Sequence, residues 1–414
     1  MKKLQGAGLR GQSAGQTSLS TVEQEGSLRY LGYSIEDLAK NASFEEVAYL
    51  LLLGHLPKKQ ELEEFENELA SLREMPDSLV TVLESIPAEA HPMEVVRTII
   101  SYMGVIESER SFDEQLDVTK RLLGVTTTAI VYWYKFSHEG IRIEQTSDEV
   151  SVAAHFLKLL RQEEINDLHK RTLDVSLTLY AEHEFNASTF TGRVCASTLS
   201  DLHSCLTAAV GSLRGPLHGG ANEEAMKMLE EIDSLENVKG FIDHKLEKKE
   251  KVMGFGHAVY SVKDPRSDII KEYSAKLSEG HKDKLLHDAA VVMEAYLKEK
   301  KGLFPNTDFF HAPAYHYLGI PTKLFTPLFA IARIIGWSAH AYEQRDNNRI
   351  FRPSADYIGP EDRNWFDIES RLCLTLIQSS KKYLTTSRIT KQTKNLFKKQ
   401  KHVFLIALHA HSWL

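Results

Sequence analysis

The sequence predicts an all-α protein, and three observations carry that reading. Apolar residues recur at three- and four-residue spacing from about Ser34 to residue 343, the mark of helices with one buried face. Helix start and stop residues punctuate the pattern: Ser43 with Glu46, Gly54, Pro57, Pro92. Nothing alternates with period two for long, and no repeat of about 30 to 50 residues supports a helical solenoid.

Residues 1–33 are rich in Gly, Ser, Thr and Gln, and Gly26–Tyr33 reads as a short extended or turn segment. Ser34 then starts a helix. Ser43 and Glu46 form a capping box before the apolar run Val47–Leu53, which Gly54 stops. Pro57 is placed to open the next helix at its first position, Asp77 to cap another that runs to Pro87, and Pro92 to begin one more. Helical spacing continues over 114–136, 148–162, 165–182 and 186–212. After Gly219-Gly220 it resumes over 221–234, 236–249, 265–278, 282–301, 308–318 and 323–343, with Gly or Pro between the segments.

A chain of 414 residues exceeds the size of a single core, so a second domain is expected. A net charge of −7 argues against a nucleic-acid binder, whose domains are basic. The longest apolar runs, Val47–Leu53 and Val403–Leu408, fall well short of the roughly 20 residues of a membrane span. MKKLQGAGLRG lacks the apolar core of a secretory signal. Cys195, Cys205 and Cys373 are too scattered for a disulfide framework or a metal site, and no HExxH or CxxC is present, so no metal is expected. A reducing cytoplasm fits this composition.

The stretch Lys251–Arg266, KVMGFGHAVYSVKDPR, frames His257 with Gly254 and Gly256, which let the backbone approach a ligand or turn with positive φ. A histidine in such a loop can exchange a proton with a substrate; the same pattern also describes a surface turn with a solvated histidine. His218 sits among Gly215, Pro216, Gly219 and Gly220 just before a helix start near Ala221. There the helix dipole favours the neutral ring, a donor for a developing oxyanion, although a capping glycine pair beside an incidental histidine has the same sequence. Asp308, in FPNTDFF, is either an ordinary first-turn residue or a general base whose pKa its apolar neighbours raise. Arg266, Arg333 and Arg352 lie near Gly or Pro or inside an apolar helix, and Arg333 in FAIARIIGW calls for an anion. His183 is one more donor or a core histidine. Together these residue types suit carbon–carbon bond formation between a keto acid and a thioester.

Five ordered motifs then resemble a known family: AEHEFNASTFTGRV, LRGPLHGGANEEA, MGFGHAVYSVKDPR, FPNTDFF, and FTPLFAIAR with RIFRPSADYIGPE. They are similar to the citrate synthase family, and closest to its 2-methylcitrate synthase branch, over about residues 8–371. The resemblance implies that His218, His257 and Asp308 are catalytic. It implies that His183, Arg266 and Arg333 bind oxaloacetate, with Arg352 supplied by a second subunit of a homodimer. Lys251, Val252, Met253, Gly254 and Phe255 would meet coenzyme A, which enters as the substrate thioester and not as a cofactor. The implied architecture is a large helical domain (1–220 and 323–371) and a smaller one (221–322) that closes over the substrates, followed by an atypical tail (372–414).

Two departures stand out from that pattern. Leu31 replaces the arginine usual in the Tyr-Arg-Gly-Tyr segment, and the tail continues past the family's usual end near Arg371. From Arg371 on the chain carries nine Lys and Arg and no Asp or Glu, so it reads either as a fortuitous extension or as a contact for anionic surfaces. Three functions are expected in descending order: condensation of propionyl-CoA with oxaloacetate, condensation of acetyl-CoA with oxaloacetate, and a non-catalytic helical scaffold.

Overall fold

A computed structural model describes Leu9, residues 11–360, 362–365, 367 and 368. The expectations for the tail, residues 372–414, and for Cys373 lie outside the described residues. Within them the chain forms sixteen α-helices and one small sheet. The sheet was expected only as an extended segment: β1 (Ser20–Glu23), β2 (Ser27–Tyr30) and β3 (Tyr33–Ser34) pair antiparallel in that order, with Ser20 opposite Tyr30 and Arg29 opposite Ser34. Leu31 and Gly32, both at positive φ, make its second turn. Tyr30 anchors the sheet by donating its phenol hydrogen to the Glu182 carbonyl at 2.9 Å.

The first helices begin and end where their caps dictate. Ser34 caps α1 (Ile35–Asn41), and Ser43 and Glu46 cap α2 (Phe44–Leu53) reciprocally, which Gly54 ends in the left-handed conformation. Two starts differ from expectation. α3 spans Lys59–Ser71, because the Glu61 carboxylate turns back to the Lys58 amide and moves the start past Pro57. α4 spans Asp77–Ser85 with Pro76 as its cap, so Asp77 is its first helical residue. α5 (Pro92–Ile106) opens on its proline, and α6 (Gln115–Glu139) and α7 (Val152–Arg161) follow.

α8 (Asp167–Tyr180), α9 (Ala187–Ala196) and α10 (Leu202–Leu213) complete the first half. The expected 186–212 helix is broken between α9 and α10, where Leu199 takes a φ of 61°. No Gly or Pro announces that break. The second half holds α11 (Ala221–Glu230), α12 (Val238–Glu247), α13 (Pro265–Ser278), α14 (Leu285–Lys301), α15 (Thr307–Tyr317) and α16 (Phe325–Asp346).

α16 is the axis of the core. It packs on α2, α5, α6, α8, α9, α10 and α11. The segment Thr322–Asp346 is long and apolar enough to cross a membrane by length and composition, yet its apolar window is wholly buried inside the protein. α13 packs on α15 and α8, and α11 on α15. The functional segments therefore converge around α8, which packs on α13, α15 and α16. Contacts divide the chain into two units, residues 1–351 and 352–414. The expected large and small domains fall inside the first unit, apart from the stretch after Phe351.

Candidate functional site

The glycine loop is clamped to the start of α15. Phe255 bridges Pro305, Gly256 N donates to the Phe304 carbonyl at 2.9 Å, and Asn306 N donates to the Gly254 carbonyl at 2.8 Å. The Asn306 side chain works in both directions: Nδ2 donates to the Gly256 carbonyl at 3.0 Å, and Oδ1 accepts from Asp308 N at 3.1 Å as the helix cap. Gly254 has a φ of 81°, and a Cβ there would lie 2.8 Å from Phe309 Cβ. No other residue fits.

This clamp presents His257. Its Nδ1 accepts from the amides of Val259 and Tyr260, both at 3.1 Å. Amides only donate, so Nδ1 holds a lone pair and the neutral ring carries its proton on Nε2. His183 is buried beside it, with ring centroids 5.1 Å apart, and its Nε2 lies 3.1 Å from the Tyr260 hydroxyl. Burial, then Arg266, His257 and Arg333, push the His183 pKa well below its ordinary value. It is a neutral ring.

Arg266 is buried and paired. Asp264 accepts from its Nε at 2.9 Å through Oδ1 and from its NH2 at 2.8 Å through Oδ2, and Oδ2 also accepts from Thr307 N at 3.0 Å. Asp264 thus joins the start of α13 to the start of α15, and holds the guanidinium charged despite its burial.

Arg333 is 1% exposed in the middle of α16. Its Nε donates to the Tyr180 carbonyl and its guanidinium lies over the Phe329 ring, 4.8 Å from the centroid. Among the described residues NH1 has no hydrogen-bond partner. Burial lowers the pKa only to about 10, so a cation with an unused donor stands ready for an anion at neutral pH.

Asp308, 8% exposed, accepts the Tyr180 hydroxyl hydrogen at Oδ1 over 2.6 Å. Burial raises its pKa to about 6, against the lowering by that hydrogen bond and by Arg266 and Arg333. A carboxylate so tuned is ionised at neutral pH and basic enough to take a proton from carbon.

His218 occupies the turn before α11, and its Nε2 accepts from Ser188 N at 3.2 Å, with the Ser188 hydroxyl at 2.9 Å. Its proton therefore sits on Nδ1. The pKa is lowered to about 4, and burial followed by Arg333 does this rather than the helix dipole expected from the sequence. Its ring meets Phe329 edge-on at 6.4 Å, the same ring that carries Arg333 and stacks on Tyr180.

The structure thus gathers His183, His218, His257, Arg266, Asp308 and Arg333, through contacts that run from one to the next. Lys251 is exposed and Val252, Met253 and Phe255 half-buried at the edge of the same loop. Arg352 is exposed and begins the second unit. Sequence reasoning missed Tyr180, Asp264, Tyr260 and Asn306. Asn306 and Asp264 had local signals, as the first residues of the Asn-Thr-Asp and Asp-Pro-Arg helix starts.

The sequence profile of the citrate synthase C-terminal domain matches residues 8–354. The chain belongs to the citrate synthase family. The family is one of condensing acyltransferases, and its relatives match along nearly their whole length. A 2-methylcitrate synthase of Shewanella oneidensis is 56% identical over 371 residues, 89% of this chain and 99% of that protein. Citrate synthase 2 of Bacillus subtilis is 43% identical, over 88% of this chain and 98% of its own. Among solved structures, the ternary complex of carboxymethyl coenzyme A and oxaloacetate with citrate synthase from the archaeon Thermoplasma acidophilum superimposes with a TM-score of 0.83. It is 33% identical and covers 88% of this chain and 98% of that one.

Proposed function

We propose that the protein condenses propionyl-CoA with oxaloacetate and water to give 2-methylcitrate and CoA, as a step of propionate catabolism, and also accepts acetyl-CoA to give citrate. The observation that carries the acyl choice is the 56% identity to the Shewanella 2-methylcitrate synthase, against 43% to the Bacillus citrate synthase 2.

In this reading Asp308 takes the proton from the carbon next to the thioester carbonyl. His218, neutral with its proton on Nδ1, donates to the thioester oxygen as negative charge develops there, so that an enol forms in place of a free enolate. His257, with its proton on Nε2, donates to the ketone of oxaloacetate as the enol carbon attacks it and the ketone oxygen becomes an alkoxide. His183 adds a second neutral donor near that oxygen. The carboxylates of oxaloacetate are met by Arg333 NH1, by Arg266 on its Asp264 support, and by the partner subunit's Arg352. Water then cleaves the thioester, which releases CoA and makes the overall step irreversible.

Lys251, Val252, Met253, Gly254 and Phe255 would line the approach of coenzyme A, with Lys251 available to its phosphates. The chain acts as a cytoplasmic homodimer with shared sites. Residues 221–322, which carry His257, Arg266 and Asp308, close on the rest once oxaloacetate is bound, and that closure excludes water from the enol.

The test is kcat/KM for propionyl-CoA and acetyl-CoA on the purified protein with oxaloacetate saturating. A methylene in a pocket is worth about 1–3 kcal/mol, so a preference of roughly 10-fold or more for propionyl-CoA is expected. A preference of that size for acetyl-CoA would make the protein a citrate synthase. Turnover of neither would leave only the scaffold.

A further inference from the structure

Tyr180 ends α8, three residues before His183, and is fully buried. The chemistry above gives it no part, yet it touches both halves of the site. Its hydroxyl donates to Asp308 Oδ1 at 2.6 Å, while its backbone carbonyl accepts from Arg333 Nε. Its ring stacks on Phe329 with centroids 4.3 Å apart and meets the His311 ring at the same distance. Packed on both faces, the phenol has one direction in which to point, and that direction ends on the carboxylate. Burial and the nearby Asp308 push its own pKa far up, so it remains a donor at every working pH. Among the described residues Oδ2 of Asp308 receives no such hydrogen bond.

We propose that Tyr180 is a positioning residue for the condensation: its hydroxyl pins Oδ1 of Asp308, leaving Oδ2 as the oxygen that takes the proton, while its carbonyl and ring orient the Arg333 guanidinium. The proposal rests on the reading of Asp308 as the base. It divides Tyr180 into a side-chain role toward the acyl thioester and a backbone role toward the keto acid.

The groups facing Asp308 determine what removing the hydroxyl does. They are Tyr180 from α8, Asp264 and Arg266 at the start of α13, and Arg333 from α16, with Tyr315 on its own helix. The other helices packed on α15 direct their titratable groups elsewhere: Glu223 of α11 accepts from Thr326, and His287 of α14 lies 2.9 Å from Ser274 Oγ. Among the described residues the Tyr180 hydrogen bond is the largest of the contacts that favour ionised Asp308. Its loss raises the carboxyl pKa.

Tyr180→Phe keeps the ring, the stacking and the backbone carbonyl and removes only the oxygen. The expected result is an acid limb of kcat/KM for the acyl-CoA displaced upward by about one pH unit. On the plateau above that limb kcat falls roughly tenfold from lost orientation, with KM for oxaloacetate unchanged. A Tyr180→Leu variant, which also loses the stacking on Phe329, should raise KM for oxaloacetate as well. Asp308→Asn is measured beside them. If Asp308→Asn loses turnover while Tyr180→Phe keeps both kcat and the wild-type limb, Tyr180 is structural only and the proposal is overturned. If Asp308→Asn retains turnover, the base is misassigned and the proposal falls with it. Circular dichroism and thermal melting of Tyr180→Phe exclude a folding defect as the source of any loss.

Discussion

The amide of Ser188 points at Nε2 of His218 from 3.2 Å, and the amides of Val259 and Tyr260 point at Nδ1 of His257 from 3.1 Å. The two histidines are thereby fixed in opposite tautomers: His218 offers its proton from Nδ1, His257 from Nε2. An asparagine amide nitrogen falls near the place of Nδ1 and a glutamine amide nitrogen near that of Nε2. At position 218, Asn should therefore retain more activity than Gln, and at position 257 the order should reverse, each by roughly tenfold. Turnover of the four variants, with exchange of the acyl-CoA α-proton into solvent as a second readout for position 218, checks this. The same order at both positions would refute the opposed tautomers.

Asp308, raised to about pH 6 by burial, must be ionised to act as a base. Activity should accordingly be level above that pH and fall tenfold per unit below it in kcat/KM for the acyl-CoA. Asp308→Asn keeps the shape and the Tyr180 contact but cannot accept the proton, so kcat should drop by about 10²-fold or more with oxaloacetate affinity nearly unchanged. Oxaloacetate binding followed by calorimetry separates the two effects.

How much of this was legible in the sequence depends on how local the cause is. Ser43 with Glu46, Gly54 at a φ of 85° and Pro92 at a first helical position are signals whose partners lie within four residues, and each was read as it stands. Pro57 misled because Glu61 satisfies the Lys58 amide and makes the better start. The turn at Leu199 was invisible because leucine is an unusual residue for a positive φ. The residues advertised by neighbouring glycines or aromatics, His218, His257 and Asp308, were singled out, and the fold brings them into one cluster. Tyr180 was not, since its meaning comes from Asp308, 128 residues away. Asp264 was not either, since its hold on Thr307 spans 43 residues. Second-layer residues declare themselves only when the chain is folded.

Gly254 and Gly256 share a positive φ, 81° and 78°, but differ in their surroundings. A Cβ on Gly254 would strike Phe309, whose backbone leads directly from Asp308, whereas a Cβ on Gly256 has nothing within 4 Å. Gly256→Ala should cost only the backbone strain, about 1–2 kcal/mol. Gly254→Ala adds displacement of a fully buried phenylalanine, and should lower both melting temperature and kcat by clearly more than Gly256→Ala. Equal losses for the two would show that the contact with Phe309 is immaterial.

Glu45 is a buried carboxyl of α2 that makes alkaline stability testable. It is 1% exposed, Oε1 accepts from Val152 N at 2.8 Å, and Oε2 has no partner among the described residues. Burial, then Asp174, raise its pKa to about 8 from an ordinary 4.5. With the folded value above the unfolded one, the native state holds the extra proton, so stability declines as pH rises from about 4.5 to 8 and is level beyond. Glu45→Gln keeps the acceptor and removes the titration. Its melting temperature should exceed that of wild type by a few degrees near pH 8, with the gap closing toward pH 5. A gap that is constant with pH would mean that Glu45 is not the group that titrates.

The last prediction concerns Arg352, which the proposed function assigns to the site of the partner subunit. Arg352 is exposed, its NH1 3.4 Å from the Pro353 carbonyl, in the unit that begins at that residue. The cluster built by residues 183–333 holds one buried guanidinium with an unused donor, Arg333, and a second already paired, Arg266. Oxaloacetate carries two carboxylates, so a further cation from outside the cluster completes the balance of charge, and a twofold dimer is the commonest arrangement that supplies one. Arg352→Ala should then lose most activity through a raised KM for oxaloacetate. Mixed with an inactive Asp308→Asn chain, it forms heterodimers in which one site carries both lesions and the other carries neither. Activity should return in proportion to the heterodimer, up to half of the wild-type value per dimer. If heterodimers form, as shown by mass spectrometry of differently tagged chains, and activity does not return, each site is complete within one chain and Arg352 acts on its own.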